Sequence, residues 1–284
     1  MPRRLRWLTP YLFLLPGGVW LTAFFVVPMI VMAAVSLQEG SLSRGYTLTW
    51  NFAIYAQVIG DWATQFIRSL WYAGLVTGLT LLIGYPMAYT IAFRGGRAKN
   101  ILLLIVIMPF FTAFLIRTLS WKLILADNGF LLGGLKDFGV LDAAFRVLAT
   151  PLAVISGLTY NFLPFMVLPL YVALEKIDPH LIEAGNDLYA SRLQSFLRIT
   201  LPLSMPGVFA GSLLVFIPTI GDFINADILG SRDTTMIGNV IQRLFITNNA
   251  YPEAAALGFV LMAVVLGLVA VYARAVGADA LTRG

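Results

Sequence analysis

The sequence contains no cysteine and a single histidine, His180. Without thiols there is neither a disulfide framework nor a thiolate metal site. One imidazole excludes a multi-histidine metal site and argues against a membrane metalloenzyme. No cysteine nucleophile and no Ser-His pairing is available, and the acids are scattered rather than paired. Nothing resembles Gly-x-x-x-x-Gly-Lys-Ser/Thr, so the chain is not its own ATPase. No basic stretch is interleaved with exposed aromatics, which excludes nucleic acid as a partner. There is no internal repeat and no low-complexity linker. Charge is also scarce: 12% of the 284 residues are Asp, Glu, Lys or Arg, half the roughly 25% of a soluble domain.

What is present in excess is apolar. Hydrophobic residues make up 59% of the chain and the mean hydropathy is +0.85, too greasy for the surface of a soluble globule. A bilayer-crossing helix needs about 20 mostly apolar residues, and six stretches meet that length. They run about Leu12 to Val35, Leu70 to Phe93, Ile101 to Leu125, Pro151 to Leu174, Gly207 to Ile228 (interrupted by Pro218 and Gly221) and Ala254 to Tyr272. The first begins after Arg3, Arg4 and Arg6. Its run exceeds the roughly 7–15 residues of a signal-peptide core, which predicts a retained helix. The expectation is an all-α integral membrane protein, 1–284 forming a single permease domain in the membrane lipid.

Lys and Arg favour cytoplasmic loops. Placing the N-terminus inside puts Arg3, Arg4, Arg6, Arg94, Arg97, Lys99, Lys176, Arg192, Arg198, Arg274 and Arg283 on that side, more than half of the 19 cations. The loop Arg94-Gly95-Gly96-Arg97-Ala98-Lys99 carries three cations and no acid. Six spans then return the C-terminus to the cytoplasm. Trp7, Trp20, Trp71, Trp121 and Tyr272, near span ends, suit interfacial anchoring.

The segment between spans four and five, 175–207, differs from the rest. Asp178 followed by Pro179 is a helix N-cap with proline at the first helical position. Leu181, Ile182, Ala184 and Leu188 then form one apolar set, and Leu193, Phe196, Leu197 and Ile199 a second. The pattern predicts a short helix, a turn and another helix lying against the membrane. Its residues Glu183-Ala184-Gly185, with Asp187, Ala190, Phe196, Ile199, Leu201-Pro202 and Pro206-Gly207, resemble the EAA loop of ABC-importer permeases. That resemblance implies a type I permease fold and a coupling helix that docks in a groove on a cytoplasmic ATPase. Glu183, Ala184, Gly185, Asp187, Ala190, Phe196, Pro202, Pro206 and Gly207 are the implied ATPase-coupling residues. A small-residue patch lets the ATPase approach the backbone, and Glu183 can pair with a partner cation. The sequence departs from the pattern at Gly185, where the second Ala is usual, and at Tyr189, where Gly is usual. Gly permits φ > 0 there, which Tyr adopts only with strain, so the bend is expected to pass to Gly185 or Asn186. His180 reads as a surface residue at a helix start.

Further stretches extend the resemblance. They are Pro109-Phe110-Phe111 with Leu115-Ile116-Arg117 and Trp121, Asn161 to Tyr171, Leu214 to Phe223, Ile228-Leu229-Gly230 and Met236-Ile237-Gly238-Asn239. From about residue 70 the chain looks like the spermidine/putrescine-type permease branch, which also handles opine-like solutes. The resemblance implies a bacterial inner-membrane subunit with no cofactor of its own; ATP and Mg would be bound by a dimer of ABC ATPases. It also implies a second, homologous permease subunit and a periplasmic solute-binding protein. A polyamine path calls for carboxylates and aromatic faces. Asp222 and Asp227, beside the helix-breaking Pro218 and Gly221, and Trp121, Tyr160 and Phe223 are the candidates. Asp222 could equally cap a helix or partner Arg117. Arg117 itself is expected about 25 Å up a continuous third span, where it could snorkel outward. It obstructs a polycation unless an acid neutralises it. An amphipathic piece, Met236 to Phe245, is expected to pack against the spans, or to cross the outer mouth or meet a solute-binding protein. An ion-coupled secondary transporter remains the alternative, though it leaves the 183–207 pattern unexplained.

Overall fold

The computed structural model describes residues 9–274 except 143. Arg3, Arg4, Arg6, Trp7 and Arg283, used above for orientation, lie outside the described residues. Between loops, the described residues are helical apart from one two-stranded hairpin, β1 (Gln38–Ser41) with β2 (Gly45–Leu48), paired antiparallel with Gln38 opposite Leu48. In chain order the helices are α1 (Thr9–Leu21), α2 (Val27–Ser36), α3 (Ala53–Arg94), α4 (Lys99–Ile107), α5 (Phe114–Ile124), α6 (Phe130–Asp137), α7 (Pro151–Glu175), α8 (Pro179–Asp187), α9 (Arg192–Ser195), α10 (Leu201–Ile220), α11 (Ile224–Leu229), α12 (Ile237–Gln242) and α13 (Tyr251–Tyr272).

Among the described residues, five helical stretches are long and apolar enough to cross a membrane: Phe13–Ser36, Ala53–Arg94, Pro151–Glu175, Arg192–Ile220 and Tyr251–Tyr272. The sixth is broken. Gly96–Phe111 and Phe114–Ile124 together have the length and apolarity of a span but meet at 93°. The sequence reading of one continuous helix from Ile101 to Leu125 is therefore corrected. Pro109 lacks an amide hydrogen for the ladder, and Thr112 (ψ 137°) and Ala113 (ψ 136°) are extended. Arg117 consequently does not stand at the top of a straight rod; it lies one turn into the second arm.

The fifth span is also longer than expected. A π turn, Phe196–Thr200, joins α9 to α10 without a break, so Leu193, Phe196, Leu197 and Ile199 belong to the foot of the span and not to a separate helix on the membrane surface. The extra residue of a π turn fits a helix that carries Pro202, which cannot donate to the ladder. The amphipathic piece after residue 235 forms as α12 and a π turn, with Met236, Ile237, Val240 and Leu244 buried.

The chain separates into two compact units. The first draws on Met1–Trp62 and Ile241–Met262. In it the hairpin is secured by Tyr46, whose hydroxyl donates to the Asn249 carbonyl and whose ring lies 5.5 Å from Tyr251. Ser36 and Tyr55 share a hydrogen bond of 2.7 Å. The second unit, Ala63–Val240 with Ala263–Gly284, holds the main core, centred on α7. Leu158, Met166, Val167, Leu170 and Leu174 are fully buried there. The tightest packing is between α7 and α10, and glycine allows it: a Cβ on Gly207 would lie 2.6 Å from the Ala173 Cβ and 2.7 Å from the Pro169 carbonyl oxygen.

Candidate functional site

Two regions of the second unit concentrate the polar and chemically distinctive residues. The first is the segment after α7. The Asp178 carboxylate accepts the His180 amide at 3.0 Å, so the N-cap read from sequence is in place ahead of Pro179. His180 Nδ1 lies 3.0 Å from Glu183 Oε2, both side chains largely exposed. That hydrogen bond, and then the Asp178 and Glu183 charges, raise the imidazole pKa above its usual 6.5.

The helix then stops in a definite way. The Ala190 amide donates to the Gly185 carbonyl at 3.0 Å and the Leu188 amide to the Ala184 carbonyl at 3.2 Å. This six-to-one bond closes a Schellman turn whose left-handed position is Tyr189, with φ +59°. Glycine is the usual occupant of that position. The expectation that Gly185 or Asn186 would absorb the bend is thus overturned, because the hydrogen-bond pattern fixes which residue must have positive φ. Gly185 instead has a packing role: it is buried, and a Cβ there would lie 2.9 Å from Ile199 Cδ1. Tyr189 is 97% exposed and Leu188 82%. A knob of apolar surface thus stands at the tip of the segment. Glu183, Ala184 and Asp187 are exposed along α8, and Ala190 is half-buried.

Past the knob, Ser191 and Gln194 form a reciprocal capping box that starts α9. The Phe196 ring meets Tyr85 edge-on at 5.6 Å and Tyr89 at 6.3 Å, both on α3. The Tyr85 hydroxyl also shares a hydrogen bond of 2.8 Å with Ser204 on α10. The Lys99 ammonium bonds Glu175 at the end of α7 and sits 5.3 Å from the Tyr171 ring. The segment is therefore attached at both ends to spanning helices, and Gly207 carries it directly into the α7–α10 contact. Pro202 and Pro206 are exposed along this foot.

The second region is a buried polar cluster. Asn225 Oδ1 accepts from Asn161 Nδ2 at 2.9 Å and from Thr118 Oγ1 at 3.1 Å. The Asn225 amide and side chain donate to the two oxygens of Asp222 at 2.8 and 3.1 Å. Four separate stretches, α5, α7, the 222 turn and α11, meet there. Sequence reading singled out Asp222, yet not Asn161, Asn225 or Thr118. The available signal was an amide or hydroxyl side chain inside an apolar run, where each must find a partner. Asp222 is buried and caps α11; it makes no ion pair with Arg117.

The other path candidates divide. Trp121 and Tyr160 meet edge to face at 5.4 Å. Phe223 is partly exposed, and its carbonyl accepts from Asn239 Nδ2 at 2.7 Å. Asp227 is exposed on α11. Arg117 is buried, 8% exposed, with its guanidinium 5.1 Å from the Phe110 ring and 5.6 Å from Phe114. It does not snorkel.

Comparison with known proteins gives consistent results. Residues 80–278 match the family described as "Binding-protein-dependent transport system inner membrane component". The spermidine/putrescine transport system permease protein PotB of Haemophilus influenzae is 39% identical over 257 residues, 90% of each chain. Its Escherichia coli counterpart is 37% identical, covering 90% of this chain and 94% of its own. Among solved structures, a chain of a bacterial alginate ABC transporter in complex with an alginate-bound periplasmic protein superposes with TM-score 0.73. It is 24% identical and 96% of both chains is covered. A second alginate importer structure gives 0.71 at 22% identity, covering 94% of both.

Proposed function

Because this chain belongs to the family of binding-protein-dependent transport system inner membrane components, multi-pass subunits of importers, we propose that it is the permease for a polyamine such as spermidine or putrescine. The observation that carries the cargo is the 39% identity, over 90% of the chain, to a permease named for those two amines. Both termini face the cytoplasm in this reading, as the cation-rich 94–99 loop implies. The chain has no ATPase site and no cofactor of its own. ATP and Mg bind a separate pair of ATPase subunits, a second permease completes the pathway, and a periplasmic binding protein delivers solute.

The coupling segment supplies the mechanism. An ATPase groove takes α8 and the Leu188–Tyr189 knob as a helix-in-groove contact. Glu183 meets a partner cation, Ala184, Asp187 and Ala190 let the surfaces close, and Gly185 seats α8 against Ile199. When the ATPases move, the force enters through α9 and the π turn into α10. Gly207 hands it to α7, and Phe196 with Ser204 hands it to α3. Tight packing transmits displacement because cores are not freely deformable. Asp227, Trp121, Tyr160 and Phe223 face the amine along the path, and Asp222 holds α11 and its Asp227 in place from behind.

The test is ATP-dependent uptake of radiolabelled spermidine by the purified importer in liposomes, with Glu183→Ala in parallel. Uptake that needs ATP and falls sharply in the variant supports coupling and cargo together. No spermidine uptake from an assembly that still contains the ATPase discards the cargo alone. Failure to associate with any ATPase discards the coupling reading.

A further inference from the structure

Arg117 lacks the partners that its burial demands. Its Nε and Nη1 have no acceptor although both atoms are buried. Phe110 and Phe114 lie within 5.6 Å of the guanidinium carbon. A ring attracts the cation but leaves the in-plane N–H donors of the fork unmatched. All four ion pairs among the described residues lie elsewhere: Lys99–Glu175, Lys136–Asp127, Arg146–Asp127 and His180–Glu183. Both oxygens of Asp222, the acid of the polar cluster, already bond Asn225. The guanidinium instead lines a cavity of ≈ 540 Å³ whose walls include Phe162, Phe165 and Thr112. That cavity is open at a rim where Phe111 is 81% exposed.

We propose that the Arg117 cavity is a carboxylate site, filled in the assembled importer by an acidic side chain of the second permease subunit. An unpaired buried charge costs several kcal/mol. A planar carboxylate meets two guanidinium N–H groups at once, and the surrounding rings would keep the pair dry. Thr112, the other polar side chain of the cavity, is neutral and cannot compensate the charge. The proposal rests on the reading above that two permeases form the pathway and that the cargo is a polycation. A cationic cargo cannot supply the missing negative charge, whereas an acid of the second subunit can. The pair would also remove the obstacle that a bare Arg117 presents to an amine near the path.

The experiment uses the complete importer. Arg117→Glu places two acids together; the second permease is expected to be lost from the purified complex and spermidine uptake to fall at least tenfold. Each Asp and Glu of the second permease is then changed singly to Arg in that background. One change is expected to restore both association and most of the uptake. Arg117→Gln, which keeps a polar amide, controls for a folding failure and is expected to weaken subunit association without unfolding this chain. If no acid-to-Arg change restores association, or if Arg117→Gln leaves association and melting temperature unchanged, the proposal is overturned. It is overturned too if the wild type imports 5-aminovalerate, a carboxylate-bearing analogue, and Arg117→Gln loses only that activity, because the cargo would then supply the carboxylate. Absence of spermidine uptake by a wild-type complex in which charge exchange still governs association refutes the polyamine reading and leaves the carboxylate pair standing.

Discussion

Tyr189→Gly isolates the strain at the C-terminal turn of α8. The left-handed conformation costs a residue with a Cβ about 1–2 kcal/mol, and glycine occupies it freely. Glycine also gains about 0.5–1 kcal/mol of freedom in the unfolded chain, which offsets part of the relief. The ring itself contributes almost nothing to this chain's own stability, since Tyr189 is 97% exposed. The net expectation is about 0.5–1 kcal/mol of stabilisation, a rise of about 1–4 °C in melting temperature for a chain of this size. Tyr189→Ala retains the Cβ and the strain, so it should melt within about 0.5 kcal/mol of wild type. The assay is thermal unfolding of the purified permease in detergent, with the three proteins side by side. If Ala and Gly shift equally, φ at 189 is not strained. If both melt well below wild type, the ring makes contacts that its exposure denies. Either result refutes the reasoning.

Gly207→Ala should destabilise by about 1–3 kcal/mol, the range for overpacking, because its Cβ meets the backbone of α7 at Pro169; a lower melting temperature with reduced uptake checks this. Asn225→Ala removes the acceptor shared by Asn161 and Thr118 and should cost about 1–3 kcal/mol per unsatisfied group. A double-mutant cycle with Asn161→Ala should show coupling on the order of 0.5–3 kcal/mol; simple additivity would contradict the cluster. The raised pKa of His180 makes its bond to Glu183 a low-pH contribution. It is fully present below the unfolded value of 6.5 and is lost as pH rises through the higher folded value. An NMR titration of the lone imidazole should give a midpoint above 6.5, and Glu183→Gln should bring it back toward that value.

Much of the membrane architecture was legible because burial in lipid leaves a composition signal. The fourth span was read as Pro151 to Leu174 and forms as Pro151–Glu175, since a run of apolar residues bounded by proline and by charge has few other solutions. Asp178 and Pro179 announced the start of α8 through local chemistry alone. The breaks were harder. Thr112 and Ala113 carry no helix-breaking side chain, yet they turn the third span through 93°, so hydropathy averaged over the window reads straight through them. The foot of the fifth span read as a separate helix because Pro202 and Pro206 look like terminators, whereas a π turn carries the chain past the first of them.

The sequence by itself determined that this chain spans a membrane, that it carries no P-loop motif, and that Asp178 and Pro179 start a helix between the fourth and fifth spans. These follow from residue types and short spacings, which act locally. Tertiary structure decided which residue takes the left-handed turn, because six-to-one hydrogen bonding selects Tyr189 over Gly185. It also decided that Asp222 spends its charge on α11 while Arg117 meets no acid among the described residues. Pairing depends on which helices meet, and that is set by packing across residues more than a hundred positions apart.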